Sequence, residues 1–193
     1  ARPDLYSTSM KLFKNIKKWL ENQEHLFYLF LLILIVPNII LCFTEPMPVV
    51  AKVCNVLLPF AFYYLLMTLS RNCGKMFWIL FLFIFFGAFQ IVLLYLFGQS
   101  IIAVDMFLNL VTTNSSEAME LLDNLVPALV SVIILYIPAL ILAAISIIKK
   151  RKLSSEFIRR ERKKAWIALL IGFISLSAAY GLDKRYELKS DLY

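Results

Sequence analysis

The sequence predicts an all-α membrane protein that crosses the bilayer five times. Hydrophobic residues make up 61% of the chain, whereas an ordinary soluble domain is about half apolar. These residues lie in blocks close to the roughly 20 residues that a helix needs to cross the hydrocarbon core. The charged residues, 17% of the chain, lie almost entirely between the blocks. Composition and its distribution therefore indicate the same fold class.

The N-terminal segment precedes the first apolar block. Residues 1–9, ARPDLYSTS, differ in composition from the residues after them, and Met10 offers a natural start. We therefore expect 1–9 to be a remnant of an expression tag and 10–193 to be the membrane domain. Residues 10–24 are basic and amphipathic, which predicts a helix lying at the membrane surface.

Five apolar blocks predict the spans, at about 26–43, 49–69, 76–97, 125–148 and 165–182. Prolines occur inside several of them, but membrane helices tolerate proline because neighbouring groups satisfy the freed carbonyls. The first block is too long for a cleaved signal peptide and is not followed by a small-residue cleavage site. Asn38, Asn55 and Gln90 are the strongly polar residues of the spans, and we expect them to form hydrogen bonds between helices.

The basic residues predict the orientation, because cytoplasmic connections carry an excess of Lys and Arg. All but four of the 20 Lys and Arg residues fall on one predicted side, which includes the connection at 149–164. The exceptions are Lys52, Lys184, Arg185 and Lys189. We therefore expect a cytoplasmic N-terminus and an external C-terminus, with 149–164 anchoring the topology against anionic lipid. This clustering argues against nucleic acid as a partner.

The long connection at 98–124 is not a simple polar loop. Its apolar residues recur at helical spacing: Ile101, Val104, Leu108 and Val111. Asp105, Asn109 and Thr113 recur every four residues on another face. The pattern predicts amphipathic helical structure at the outer membrane surface.

The end of this connection reads as a helix start. Asn114 is a good N-cap, and Glu117 follows three residues later, as in a capping box. A helix beginning here would run into the fourth span, and its free N–H groups would suit an anion such as a phosphate. The alternative reading is that Glu117 only caps the helix and that Asn109 and Thr113 form a wetted face.

At these residues the chain resembles the N-terminal membrane domain of lipid A phosphoethanolamine transferases, the family that includes the mobile colistin-resistance enzymes. The family pattern Asn-x3-Thr-x3-Glu-(Ala/Thr)-x-x-Leu-Leu lies between the third and fourth spans. It is matched here by Asn109, Thr113, Glu117 and the run AMELL at 118–122. The resemblance covers about residues 10–193, and five spans with an external C-terminus also match.

The resemblance implies a two-domain enzyme of the bacterial inner membrane. The five-helix domain would hold phosphatidylethanolamine at the periplasmic face, with Asn109, Thr113 and Glu117 lining the head-group pocket. A periplasmic sulfatase-like domain would use a zinc-activated threonine to pass phosphoethanolamine to a phosphate of lipid A or a related glycan. The modification weakens binding of cationic peptides, which is the basis of polymyxin resistance.

The sulfatase-like domain has no counterpart in these 193 residues. His25 is the only histidine, so this chain cannot build a His-based zinc site or catalytic triad. The three cysteines lack zinc-ligand spacing. We therefore expect the catalytic residues and the implied zinc to belong to a separate soluble domain, and this chain alone to bind no cofactor and to transfer nothing.

Two other functions are compatible with five spans. A small transporter or channel subunit would carry ionisable residues near the middle of its spans, and no charged residue lies near a predicted span centre. The membrane part of a lipoteichoic acid synthase-like enzyme would also join five spans to a sulfatase-like domain. The Asn-Thr-Glu motif favours the phosphoethanolamine transferase.

Overall fold

The computed structural model of this chain describes residues 3–44, 46–97 and 115–190. This part of the chain is helical and contains no strand, so the predicted all-α class is confirmed. The six helices are α1 (Pro3–Glu21), α2 (Gln23–Thr44), α3 (Val49–Met67), α4 (Cys73–Phe97), α5 (Ser115–Ile148) and α6 (Ser155–Ser190).

Four helices are long and apolar enough to cross a membrane. They are α2, α3, the Val130–Ile148 part of α5 and the Ser155–Leu182 part of α6. The remaining predicted span, 76–97, lies within α4, which has 25 residues. The part of α4 whose side chains the structure describes, Cys73–Phe86, is apolar. The helices extend beyond the apolar blocks because backbone hydrogen bonding continues through charged sequence, as in the first ten residues of α6.

The predicted surface helix at 10–24 is interrupted at Asn22, which separates α1 from α2. The side-chain oxygen of Asn22 accepts a hydrogen bond from the backbone N–H of Glu24, at 3.0 Å. The backbone N–H of Leu26 donates to the carbonyl of Asn22, at 3.1 Å. Asn is a favoured N-cap. Asn22 therefore caps the start of α2, and α1 ends before it, at Glu21.

The helices pack in two pairs that α2 joins. The α3 helix packs along α6 and α4 packs along α5, while α2 contacts α3, α4 and α5. The fully buried side chains include Phe27, Phe30, Leu34, Met67 and Phe77. Phe30 stacks on Phe77 with ring centroids 4.6 Å apart.

The core of the described residues lies toward one end of the bundle. It is formed by the first halves of α2, α4 and α6 and the second halves of α3 and α5. This end also carries the α1–α2, α3–α4 and α5–α6 connections, and we call it the basic end because 149–152 and most of the Lys and Arg residues lie there. We call the opposite end, at the start of α3, the distal end.

The outer surface of the helices carries large exposed apolar side chains. Phe43 is 85% exposed, Phe83 76% and Ile148 77%. Soluble monomers rarely leave extensive apolar patches open to water. A surface of this kind is suited to contact with lipid, which agrees with a membrane protein.

A glycine allows α4 and α5 to lie close together. A Cβ atom added to Gly74 of α4 would lie 2.4 Å from the carbonyl oxygen of Ala143 in α5. One turn further, the indole Nε1 of Trp78 donates to the carbonyl of Leu140 at 3.2 Å. Small residues let membrane helices approach closely and gain packing contacts, so Gly74 sets the spacing between α4 and α5.

We expect Gly74→Ala to destabilise the fold. The new methyl group would meet backbone atoms, which cannot rotate away, and overpacking of this kind costs roughly 1–3 kcal/mol. Gly181→Ala is the matched control, since a Cβ there has no neighbour within 4 Å, and Ala favours the helix by up to about 1 kcal/mol. Thermal unfolding of the purified variants in lipid nanodiscs measures both. Equal midpoints for the two variants would contradict the close approach.

Candidate functional site

The three residues predicted to bind the donor head group lie at the edge of the described structure. Asn109 and Thr113 fall within 98–114, outside the described residues. Glu117 lies in the first turn of α5. The structure therefore describes where the motif enters a helix, and the contacts among its three side chains stay a prediction.

The helix predicted to begin near Glu117 agrees with α5, which starts at Ser115. Its predicted N-cap, Asn114, lies outside the described residues, so the capping box stays a prediction. From there α5 continues through Pro127 and Pro138 to Ile148, over 34 residues. At about 1.5 Å per residue it is roughly 50 Å long, which exceeds the roughly 30 Å hydrocarbon core. Glu117 lies eight residues before the start of the predicted fourth span at 125, or about 12 Å along the helix axis. The motif thus sits on an extension of α5 away from the basic end.

A pair of amides joins α2 and α3 in their distal halves. Asn38 Nδ2 donates to Asn55 Oδ1 at 3.2 Å, and Asn55 Nδ2 donates to the backbone carbonyl of Asn38 at 2.9 Å. Asn55 Nδ2 also lies 3.4 Å from Cys42 Sγ. The predicted interhelical hydrogen bonding is confirmed for Asn38 and Asn55, whereas the side chain of Gln90 lies outside the described residues.

An apolar crevice of about 530 Å³ opens between the start of α3 and the last membrane-length turns of α6. We call it the distal crevice. Its lining residues are Pro48, Val50, Ala51, Leu176, Ala179, Tyr180 and Leu182. The Tyr180 ring adds a phenol to otherwise apolar walls and is 66% exposed. A crevice with these walls can receive a hydrocarbon chain.

Gln23 links three helices at the basic end. Its Oε1 accepts a hydrogen bond from Ser146 Oγ of α5 at 2.7 Å and lies 3.7 Å from Cys73 Sγ of α4. Its Nε2 is buried without a hydrogen-bond partner among the described residues. The starts of α2 and α4 and the end of α5 therefore meet at one amide.

The turn from α5 to α6 is tightly built. Lys150 adopts a left-handed backbone conformation, with φ of 49°. The N–H of Lys150 donates to the carbonyl of Ile147 at 3.0 Å, and that of Arg151 to the carbonyl of Ser146 at 3.1 Å. This is the Schellman pattern of helix termination. Ser154 then starts α6 by accepting the Phe157 N–H on its Oγ, at 3.1 Å.

This turn is bound to the α3–α4 connection by two reciprocal hydrogen bonds. The Leu153 N–H donates to the carbonyl of Arg71 at 2.7 Å, and Arg71 Nε donates to the carbonyl of Leu153 at 2.9 Å. The Leu153 side chain is 2% exposed. The charged turn at 149–152 is thereby attached to the core through the buried side chain and the backbone of Leu153.

A buried carboxylate ties α6 to α3. The Glu161 side chain is fully buried and accepts a hydrogen bond from the Tyr64 hydroxyl. Its other oxygen lies 3.2 Å from both Arg160 Nε and Lys164 Nζ, whose side chains are 60% and 55% exposed. A buried charge needs such partners because desolvation is costly. With both oxygens engaged, Glu161 is suited to holding two helices together and not to proton transfer.

The sequence prediction missed Glu161, although a local signal was present. Leu153, Phe157, Glu161 and Ala165 recur every four residues and are all buried. Glu161 is the acidic residue within the basic run at 159–164, and it lies on the same face as these apolar residues. The bond between Gln23 and Ser146 joins residues 123 positions apart and has no local signal.

The part of the chain that the structure describes contains no group of three or more His, Cys, Asp or Glu residues able to hold a metal ion. No protein-family model, curated protein or solved structure matches the chain. Its function therefore has to be argued from its own residues and from the motif at 109–122.

We expect Tyr64→Phe to destabilise the fold by roughly 1.5–3 kcal/mol, the range for hydrogen bonds to charged groups. Tyr63→Phe is the matched control, because it makes the same change on the neighbouring residue, for which no side-chain hydrogen bond occurs among the described residues. It should change stability by less than about 0.5 kcal/mol.

A double-mutant cycle combines Tyr64→Phe with Glu161→Gln and measures unfolding in the same lipid environment. A coupling of about 0.5–3 kcal/mol is expected for groups in direct contact. Additive losses of stability would show that the two side chains act separately and would contradict a stabilising hydrogen bond between Tyr64 and Glu161.

Proposed function

We propose that this chain is the membrane domain of a phosphoethanolamine transferase and that it binds donor phosphatidylethanolamine at its distal end. The observation that carries the proposal is the motif Asn109-x3-Thr113-x3-Glu117, which leads into the first turn of α5. The chemistry of the donor head group accounts for each of the three residue types. Transfer to lipid A or a related glycan phosphate would take place on a sulfatase-like domain joined to this one.

The donor head group carries an ammonium and a phosphodiester. A carboxylate is the natural partner of an ammonium, through a charge-assisted hydrogen bond, and Glu117 supplies it. Asn109 and Thr113 offer neutral donors and acceptors to the phosphate and ethanolamine oxygens. The free N–H groups at the start of α5 add a preference for the phosphate.

The distal crevice supports the same proposal. The distal crevice and the start of α5 lie toward the same end of the bundle, and the walls of the crevice suit an acyl chain. A lipid held by its head group at the motif needs an apolar surface nearby for its chains. The exposed Tyr180 ring has the apolar body and polar tip typical of residues at the membrane–water interface.

The proposal includes five spans with the basic end in the cytoplasm and the distal end in the periplasm of a bacterial inner membrane. The packing supports this arrangement, because the α1–α2, α3–α4 and α5–α6 connections meet at one end. Cytoplasmic connections are the ones rich in Lys and Arg. Glu117 would then face the periplasm, where the acceptor is found.

A transporter or channel subunit has less support from the described residues. The buried charge on a membrane-length helix is Glu161. It lies near the basic end, and both of its oxygens already have partners. A substrate or ion pathway would need ionisable groups that face a polar cavity, and the distal crevice is apolar.

Glu117→Gln separates head-group binding from helix capping. Gln also serves in a capping box, so a purely capping Glu117 would tolerate the change. If Glu117 holds the ammonium, phosphatidylethanolamine binding should weaken by roughly 1.5–3 kcal/mol, or about ten- to a hundredfold. Native mass spectrometry of the purified chain, titrated with phosphatidylethanolamine, measures the retained lipid.

Glu156→Gln is the control for this experiment, because Glu156 also lies in the first turn of a helix, α6, at the other end of the bundle. It should leave binding unchanged. Undiminished binding by Glu117→Gln would return Glu117 to the capping role and would remove the main support for a donor site.

The proposed orientation is tested with reporter fusions. Alkaline phosphatase fused after Tyr193 should be active, because the enzyme folds in an oxidising compartment. The same reporter fused after Lys152, in the basic turn, should be inactive. The reverse pattern would place the basic end outside and would overturn the assignment of Glu117 to the periplasmic face.

A further inference from the structure

A groove of about 220 Å³ separates α1 from the last turns of α5 at the basic end. Its floor is apolar and includes Ile16 and Leu20 of α1 and Leu142 and Ile145 of α5. Ile16 is 49% exposed and Ile145 37% exposed. The floor is therefore incompletely covered by the described chain, although it lies between two helices.

The rim of this groove is basic. Lys17 comes from α1, while Lys149 and Arg151 come from the turn that follows α5. Neither Lys17 nor Lys149 forms an ion pair with a residue that the structure describes. Glu21 is the one acidic residue in the lining, so the lining keeps a net positive charge.

The position of Arg151 is set by its surroundings. It follows the Schellman turn at Lys150, and its Nη1 donates to the carbonyl of Glu21, at the end of α1, at 3.4 Å. A guanidinium has five N–H donors, so most of them remain available. Arg151 thus bridges the two walls of the groove and still offers N–H groups to an anion.

We propose that this groove binds one anionic phospholipid. The phosphate lies among Lys17, Lys149 and Arg151, and an acyl chain lies along the floor at Ile16 and Ile145. An amphipathic ligand with a negative head is complementary to an apolar floor beneath a positive rim. Lys149 directly follows Ile148, the last residue of a membrane-length helix, which puts the rim at head-group depth. Basic pockets between membrane helices at the cytoplasmic surface are known to bind anionic head groups.

This lipid site is independent of the proposed donor site. The two lie at opposite ends of α5 and differ in charge, since Glu117 is acidic and the rim is basic. Seating a lipid in the groove would fasten the exposed helix α1 to α5. Loss of one site should leave the other intact, so failure of either proposal can be recognised separately.

The test is native mass spectrometry of the whole chain with added phosphatidylglycerol, compared with phosphatidylethanolamine. A chain carrying Glu117→Gln, in which the proposed donor site is weakened, should retain one phosphatidylglycerol more strongly than phosphatidylethanolamine. The triple variant Lys17→Gln, Lys149→Gln, Arg151→Gln should bind it on the order of a hundredfold more weakly, as expected from roughly a fivefold effect for each basic residue at the surface. Ile145→Trp, which fills the floor without changing charge, should also weaken retention.

The matched control removes the same charges outside the groove, through Lys152→Gln, Arg159→Gln and Lys163→Gln. It should keep the retained phosphatidylglycerol. Equal losses in the two triple variants would indicate diffuse attraction and overturn the site. An unaffected Ile145→Trp, or equal retention of phosphatidylethanolamine by the Glu117→Gln chain, would also overturn it. Displacement of the lipid by millimolar inorganic phosphate would also overturn it, because the site would then recognise a free anion.

If the triple variant does not fold, the double variant Lys17→Gln, Lys149→Gln is compared with the control Lys152→Gln, Lys163→Gln. The first should lose phosphatidylglycerol and the second should keep it, and equal losses would overturn the site.

Discussion

Hydrogen bonds at the basic end determine how the helices of this protein are arranged. In a bilayer, burying apolar side chains gives helices little reason to associate, because acyl chains are as apolar as leucine. Directional contacts must then decide which helices are neighbours. The two bonds between Arg71 and Leu153 join the α3–α4 connection to the α5–α6 turn. Toward the same end, Gln23 joins α2 to α5, and Glu161 joins α6 to α3.

The two ends of the bundle therefore have different physical properties. The basic end combines this network with the buried aromatic core and the close approach of Gly74 to Ala143. The distal end holds the amide pair of Asn38 and Asn55 and an open apolar crevice. This division suits the proposed binding of a donor lipid, because one end keeps the helices in register while the other leaves space between them.

The parts of this fold that were predictable are those with a local physical cause. Hydropathy located the membrane-length helices, since a span must be apolar along its whole length. The predicted helix near Glu117 agrees with the start of α5 at Ser115, and the polar character of Asn38 and Asn55 pointed to their pairing within apolar sequence. The sequence alone also placed Asn109 and Thr113 near Glu117, but their placement is untested because they lie outside the described residues.

The parts that were missed depend on distant partners or on a single competing residue. Tyr64 and Glu161 are 97 positions apart, and the buried role of Glu161 was hidden by the cations beside it in the sequence. The predicted helix at 10–24 was wrong at Asn22, where one capping side chain outweighed a continuous amphipathic pattern. The beginning of α6 at Ser155 preceded the apolar block by ten residues, because Ser154 caps the helix within charged sequence.

Charge along α5 relates the two proposed lipid sites to each other. The helix has an acidic motif residue in its first turn and basic residues directly after its last turn, 32 positions apart from Glu117 to Lys149. A carboxylate attracts the ammonium of a zwitterionic head group and repels a purely anionic one, whereas lysines do the opposite. The two proposed sites would therefore select different lipids by the sign of a few side-chain charges. An anionic lipid seated against α1 and α5 would thus hold the basic end of the same helix whose other end carries Glu117.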